Sequence, residues 1–252
     1  MRTRIILSLS VFLLLFSCAR QIDTQQSGEL LTAQTIIDKA IDAHGGSSYD
    51  DLHVQFVFRK FEYELQRQGG KFQYERRFEK EGETYRDVLS NDGFVRHING
   101  KIATVVDSMA DKYANSVNSV HYFAQLPYGL NDPAVHKKYL GTVDIKEQSY
   151  HKIEVSFQEE GGGKDYDDVF VYWIQQDNFL VDYLAYSYRV DGGGLRFREA
   201  FHPQQIDGVR FQDYVNYKAD PAVWSVHELD EAFMDGKLKE LSKIELELMQ
   251  EL

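Results

Sequence analysis

The residues that could do chemistry are scattered along this chain. Eight histidines stand at His44, His53, His97, His121, His136, His151, His202 and His227. None forms the i, i+4 pair with an intervening acid that would set two imidazoles and a base on one helical face around zinc, so they read as single core or surface side chains. Asp165, Asp167 and Asp168 make the densest acidic group. A calcium loop starting at Asp165 needs glycine at its sixth position and glutamate at its twelfth. Phe170 and Gln176 stand there, so the group reads as a solvated turn. No Gly-x-Ser-x-Gly elbow presents a serine. The glycine triplets at 161–163 and 192–194 lack the Gly-x-Gly-x-x-Gly spacing of a phosphate cradle and read as hairpin turns. A Schiff-base aldolase would need a lysine deprotonated by burial on an alternating strand and helix barrel. Lys152 instead lies in a run of ordinary strand alternation. No catalytic residue, metal or diffusible cofactor is expected, and an enzyme would require polar groups converging inside the fold.

One reactive atom remains, the thiol of Cys18, the single cysteine of the chain. It follows Arg2, Arg4 and an apolar run from Ile5 to Phe16, the layout of a cleavable export signal. That run is shorter than the roughly 18 residues a permanent transmembrane helix needs. The sequence Leu15-Phe16-Ser17-Cys18 resembles the bacterial lipobox, which implies cleavage after residue 17 and covalent lipid on Cys18. A lone thiol in an oxidising compartment invites mispairing, whereas an acylated one is inert. Ala19, rather than aspartate, after the cysteine implies retention at the outer membrane by the same resemblance. The expected organisation is a signal peptide at 1–17, lipidated Cys18 and a polar tether at 18–30, and one domain at 31–252. The membrane is then a partner through the lipid anchor, with either face of the outer membrane open to the domain.

Composition narrows the partners further. Taking Arg2 and Arg4 from 28 basic side chains leaves 26 against 40 acidic ones, a net charge of −14 for the processed chain. Such a chain repels nucleic acid and anionic headgroups. Hydrophobic residues at 43%, with 16 Tyr and 16 Phe, supply an ample core, which must hold without disulfides.

The periodicity then lays out the elements. Ala33, Ile36, Ile37, Ala40 and Ile41 recur at helical spacing from a Thr32 cap and stop at Gly45-Gly46. From Leu52 the period becomes two. Val54, Phe56 and Phe58 share one face, and after a turn at Gly69-Gly70 a second strand alternates Phe72, Tyr74 and Phe78. Asn91-Asp92-Gly93 and Asn99-Gly100 punctuate two more strands. Between Ser108 and Pro133 the alternation breaks, and Val117, Val120, His121, Phe123 and Ala124 fit one helical face. Strand patterns resume over 139–145, 152–157, 169–174, 181–188, 195–201 and 209–217, for which one large antiparallel sheet is the simplest account. Near the C-terminus, Ile244, Leu246 and Leu248 alternate as in a strand, while Leu238, Leu241, Leu248 and Leu252 also suit a helix.

Three segments carry a family likeness: the helix ending AHGG (Ala43 to Gly46), the Tyr139 to Phe157 strand pair, and VYWIQQDNFLVDYLAYSY (Val171 to Tyr188) followed by GGGLRFREAF and DGVRFQDYVNYK. In that order the chain resembles the envelope lipoproteins related to the lipoprotein carrier and receptor proteins of the Lol system. More narrowly, SVNSVHYFAQLPYGLNDPAV and DYLAYSYRVDGGGLRFREAF look like a family of small bacterial lipoproteins of unknown function. The likeness spans most of the processed chain. It implies a mainly β (α+β) fold: a curved antiparallel half-barrel closed by the N-terminal helix and a short helical insertion. It also implies an apolar cavity on the concave side that holds acyl chains, lipid or a lipidated protein. Candidate lining residues are Phe56, Phe58, Phe72, Tyr74 and Phe78 on the sheet, with Val117, Val120 and Phe123 on a helix that can act as a lid. The same aromatics equally suit a solid core. In that case the domain is an interaction module that binds an envelope protein at an edge or loop.

Overall fold

The computed structural model describes residues 31–160, 166–189 and 192–252. The segments expected as signal peptide and tether, with Cys18, and also the glycines at 161–163 and Asp165, lie outside the described residues. Helix α1 (Ala33–His44) starts where Thr32 and Thr35 exchange hydrogen bonds: the Thr35 amide donates to Thr32 Oγ1 at 3.1 Å and the Thr32 amide to Thr35 Oγ1 at 2.9 Å. Ile36, Ile37, Ala40 and His44 face the core. The helix stops at Gly45, whose φ of 156° and absent side chain are both needed, because a Cβ there would stand 3.2 Å from the Val209 Cα.

Six strands follow: β1 (Asp51–Phe58), β2 (Phe61–Gln68), β3 (Lys71–Lys80), β4 (Glu83–Ser90), β5 (Gly93–Ile98) and β6 (Lys101–Ile102). They form an antiparallel meander in chain order. The Gly69-Gly70 and Asn99-Gly100 turns fall where the sequence indicates. The β1–β2 turn does not announce itself, because its left-handed position is Arg59 at φ 59° rather than glycine or asparagine. Helix α2 (Asp107–Ala124) then crosses β3, β4 and β5. At 18 residues it is longer than the short insertion the sequence suggests.

The second half of the chain supplies β7 (Val135–Ile145), β8 (Gln148–Phe157), β9 (Val169–Gln175), β10 (Val181–Tyr188), β11 (Gly194–Ile206) and β12 (Val209–Ala219), again a meander. Then come a 3-10 turn at Val226–Glu228, a short helix α3 (Leu229–Met234), and strands β13 (Lys239–Ile244) and β14 (Glu247–Glu251).

The fold is mainly β, with two antiparallel sheets that do not close into a barrel, where one continuous sheet was expected. Seven strands run β14-β1-β2-β3-β4-β5-β6 and seven run β13-β12-β11-β10-β9-β8-β7. The C-terminal segment is strand rather than helix, and it stitches the sheets together: Ile244 pairs with Tyr214 of β12, and Glu247 already pairs with Val57 of β1. Leu246 sits at the bend, 3% exposed, with its amide donating to Asp213 Oδ1 at 2.8 Å. Two otherwise unpaired strand edges, those of β1 and β12, thereby gain a partner.

The core lies between the inner faces of the sheets and under α1 and α2. A second cluster occupies the outer face of β9–β11, where Trp173, Tyr183 and Phe197 pack beneath Val226, Leu229 and Ala232. Those strands are therefore buried on both faces, which is why Val169 to Ile174 reads as a continuous apolar run. The α3 segment that covers them has no counterpart in the sequence reading.

Candidate functional site

The aromatic face of the first sheet divides into a packed part and an open part. In the packed part, the His121 ring of α2 is fully buried, stacked on Tyr74 at 4.5 Å and edge-on to Tyr63 and Phe56 at 5.6 and 5.8 Å. Its Nε2 lies 3.1 Å from the Glu75 carbonyl oxygen, and its Nδ1 has no partner among the described residues. Burial drives the His121 pKa down to about 3, and likewise that of His44, buried under α1, to about 4. Beside this stack a buried ion triad crosses three strands. Asp87 of β4, fully buried, accepts from Arg76 of β3 at 2.6 Å and from Arg96 of β5 at 2.6 Å. Arg76 also donates to Ser116 of α2 at 2.7 Å, and the Arg96 guanidinium lies 3.5 Å over the Tyr113 ring. Helix α2 is thus held to the sheet by polar as well as apolar contacts.

The open part is a cleft of about 760 Å³ between the C-terminal half of α2, the β1–β2 end of the first sheet and the inner face of β8–β12. Phe58, Phe61 and Tyr63 form one wall and Val120 and Phe123 of α2 another. Opposite them a ladder of rings crosses the second sheet: Phe157 against Phe170 at 5.7 Å, Phe170 on Tyr186 at 5.3 Å, Tyr186 against Tyr188 at 6.0 Å. Polar groups enter from β11 and β12. Arg198 donates to the Tyr186 hydroxyl at 3.2 Å, Arg196 donates to the Tyr188 hydroxyl at 2.5 Å, and Asn216 lies across from Arg198.

Of the eight candidate lining residues, Phe58, Val120 and Phe123 line this cleft. Phe56, Tyr74 and Val117 are spent in the packed core. Phe72 lies on Tyr74 at 4.7 Å, and Phe78 is held between Phe61 and Tyr85 at 5.2 and 4.9 Å. Sequence reasoning passed over Phe61 and Tyr63 of β2 and, in the second sheet, Phe170, Leu184, Tyr186, Tyr188, Arg196 and Arg198. The signal of the second-sheet residues was present in VFVYWIQ, VDYLAYSY and GLRFREAF, but alternation alone does not say which face turns inward.

The other chemistry candidates sit elsewhere. Lys152 is buried on the outer face, with its Nζ 2.8 Å from Asp230 Oδ2 and donating to the His227 carbonyl at 2.6 Å, while Trp173 Nε1 donates to the same carboxylate at 3.1 Å. This group fastens α3 to the sheet. Asp167 pairs with Arg189 at 3.4 Å, and Asp168 lines the cleft. Among the described residues no group of three or more His, Cys, Asp or Glu is placed to hold a metal ion. Among them, too, no helix is long and apolar enough to cross a membrane.

No curated protein matches the chain at a significant level. Several solved structures align with it at low identity. A LolA superfamily protein from Nitrosomonas europaea aligns with 13% identity over 76% of this chain and 88% of that one, with a TM-score of 0.45. A DUF1329 family protein from Desulfovibrio piger aligns with 9% identity over 87% and 93%, with a TM-score of 0.41. The Mycobacterium tuberculosis lipoprotein LppX aligns with 12% identity over 63% and 88%, with a TM-score of 0.26. The model of a family of unknown function, DUF6503, matches residues 8–246, nearly the whole chain, and the protein belongs to that family.

Proposed function

We propose that the protein is an exported lipoprotein, anchored by lipid on Cys18 and held at the outer membrane, that binds an apolar chain in the cleft between its two sheets. The observation that carries this reading is the cleft itself. About 760 Å³ is of the size that holds a small molecule or an acyl chain, and rings and aliphatic side chains from α2 and both sheets make up much of its wall.

Two experiments test the reading. Native mass spectrometry of the full chain after gentle extraction is expected to retain a lipid adduct beyond the covalent anchor, and Leu184→Arg, which puts a charge into the cleft wall, is expected to remove it. A protein without adduct and without affinity for a fluorescent fatty acid contradicts the cleft reading. Metabolic labelling with palmitate is expected to vanish in Cys18→Ala, and labelling unchanged by that substitution contradicts the anchor. A second reading, an interaction module with a solid core, draws support from the tight packing of Phe56, Tyr63 and Tyr74 around His121. It predicts a pulled-down envelope protein and no lipid.

A further inference from the structure

The polar groups of the cleft are as informative as its rings. The chain carries 40 acidic against 28 basic side chains, and most arginines of the first sheet are bonded to acids. Arg76 and Arg96 share Asp87, and Arg77 and Arg86 share Glu75. Arg196 and Arg198 differ. Both lie on β11 facing the cleft, and among the described residues neither has a carboxylate in ion-pair range. Their partners are the phenol hydroxyls of Tyr188 and Tyr186 and, for Arg196, the Leu195 carbonyl. Among the described residues, buried Arg198 Nε has no hydrogen-bond partner, and neither does Oδ1 of Asn216, its cross-strand neighbour. A guanidinium withdrawn from water beside aromatic rings favours an anion that completes its fork. Among the described residues the cleft lining holds one acid, Asp168, against Arg59, Arg76, Arg196 and Arg198, and Arg76 is paired with Asp87.

We infer that the cleft takes an anionic amphiphile, its chain against the rings and its carboxylate or phosphate on Arg198 and Arg196. This rests on the cleft reading above and adds the headgroup to it. A purely apolar ligand would leave the two guanidiniums covered and unanswered, whereas an anionic end supplies the acceptor that Arg198 Nε lacks.

Calorimetry on the full chain carrying Cys18→Ala, so that no attached lipid competes, separates the possibilities with four probes: dodecanoate, dodecyl phosphate, dodecanol and inorganic phosphate. At least one of the two anionic amphiphiles is expected to bind about tenfold or more tighter than dodecanol, the difference a charge-assisted hydrogen bond makes. Preference for dodecanoate identifies a fatty-acid carboxylate, and preference for dodecyl phosphate a phospholipid-type headgroup. In Arg196→Gln/Arg198→Gln the ratio is expected to fall to within about twofold, and Arg198→Lys, which keeps the charge without the fork, is expected to retain an intermediate ratio. A ratio is read rather than one affinity, so partial loss of fold does not mimic the effect. Dodecanol binding as tightly as both anions, or a preference that survives the double substitution, overturns the headgroup inference and leaves the cleft reading standing. Inorganic phosphate binding as tightly as dodecyl phosphate overturns the amphiphile. Binding of none of the four overturns the cleft reading and this inference with it.

Discussion

His121 is the residue on which the packed half of the fold turns, and its chemistry makes stability depend on pH. Burial lowers its pKa to about 3 and that of His44 to about 4, so both are neutral when folded near neutral pH. In the unfolded chain they take up protons near the ordinary value of about 6.5, so the unfolded state binds more protons as pH falls below that point. Stability is therefore whole above about pH 6.5 and declines beneath it, approaching about 1.4 kcal/mol per pH unit for each histidine. Urea unfolding between pH 7.5 and 5 is expected to show that slope, and His121→Phe to make it shallower. Asp87 gives the second test at this scale. Asp87→Asn leaves Arg76 and Arg96 buried beside a neutral amide and is expected to cost about 3 to 5 kcal/mol, as loss of one partner from a buried ion pair does. A change below 1 kcal/mol in urea unfolding would mean that water, not Asp87, answers those charges. The sequence places His121 on the apolar face of its helix, but the ion triad was not legible in it, because Arg76, Asp87 and Arg96 meet only through the register of three strands.

At the scale of elements, the sequence carries the helices and hairpins well where local chemistry is explicit. Thr32 and Gly45 bracket α1, and Gly69-Gly70 and Asn99-Gly100 mark turns. It is silent where the decisive partner is distant. The C-terminal segment reads two ways because its leucines satisfy both periods, and the free edges of β1 and β12 decide for strand. In β11, Leu195 and Phe197 look like the core-facing set, and they are buried, but in the outer cluster under α3. Arg196 and Arg198, which alternate with them, thereby face inward, a reversal that needs α3 to be known first. The seam at Leu246 is testable. Leu246→Ala is expected to destabilise by about 2 to 4 kcal/mol, as for other large-to-small core changes. Removal of residues 247–252 is expected to unpair β1 and produce self-association in light scattering, since an uncovered edge recruits strands. A monomeric truncated protein of unchanged melting temperature would show that the seam does not matter.

At the scale of the whole molecule, two open meanders meet at one shared C-terminal segment, and α2 bonds firmly to the first while leaving a gap against the second. That asymmetry explains why only part of the candidate site could be read from residue order. The rings of β1 and β3 were visible as an aromatic face, but α2 fills half of that face, and the rest of the lining comes from β2 and from strands β8 to β13, far along the chain. The central claim is that the gap holds an acyl chain. The most direct measurement is photolabelling of the full chain with a diazirine-bearing palmitate, followed by peptide mapping. Adducts are predicted on the segments 115–126 and 184–188, competed away by unlabelled palmitate. No specific adduct, or adducts confined to the outer face around Trp173 and Phe233, would contradict it.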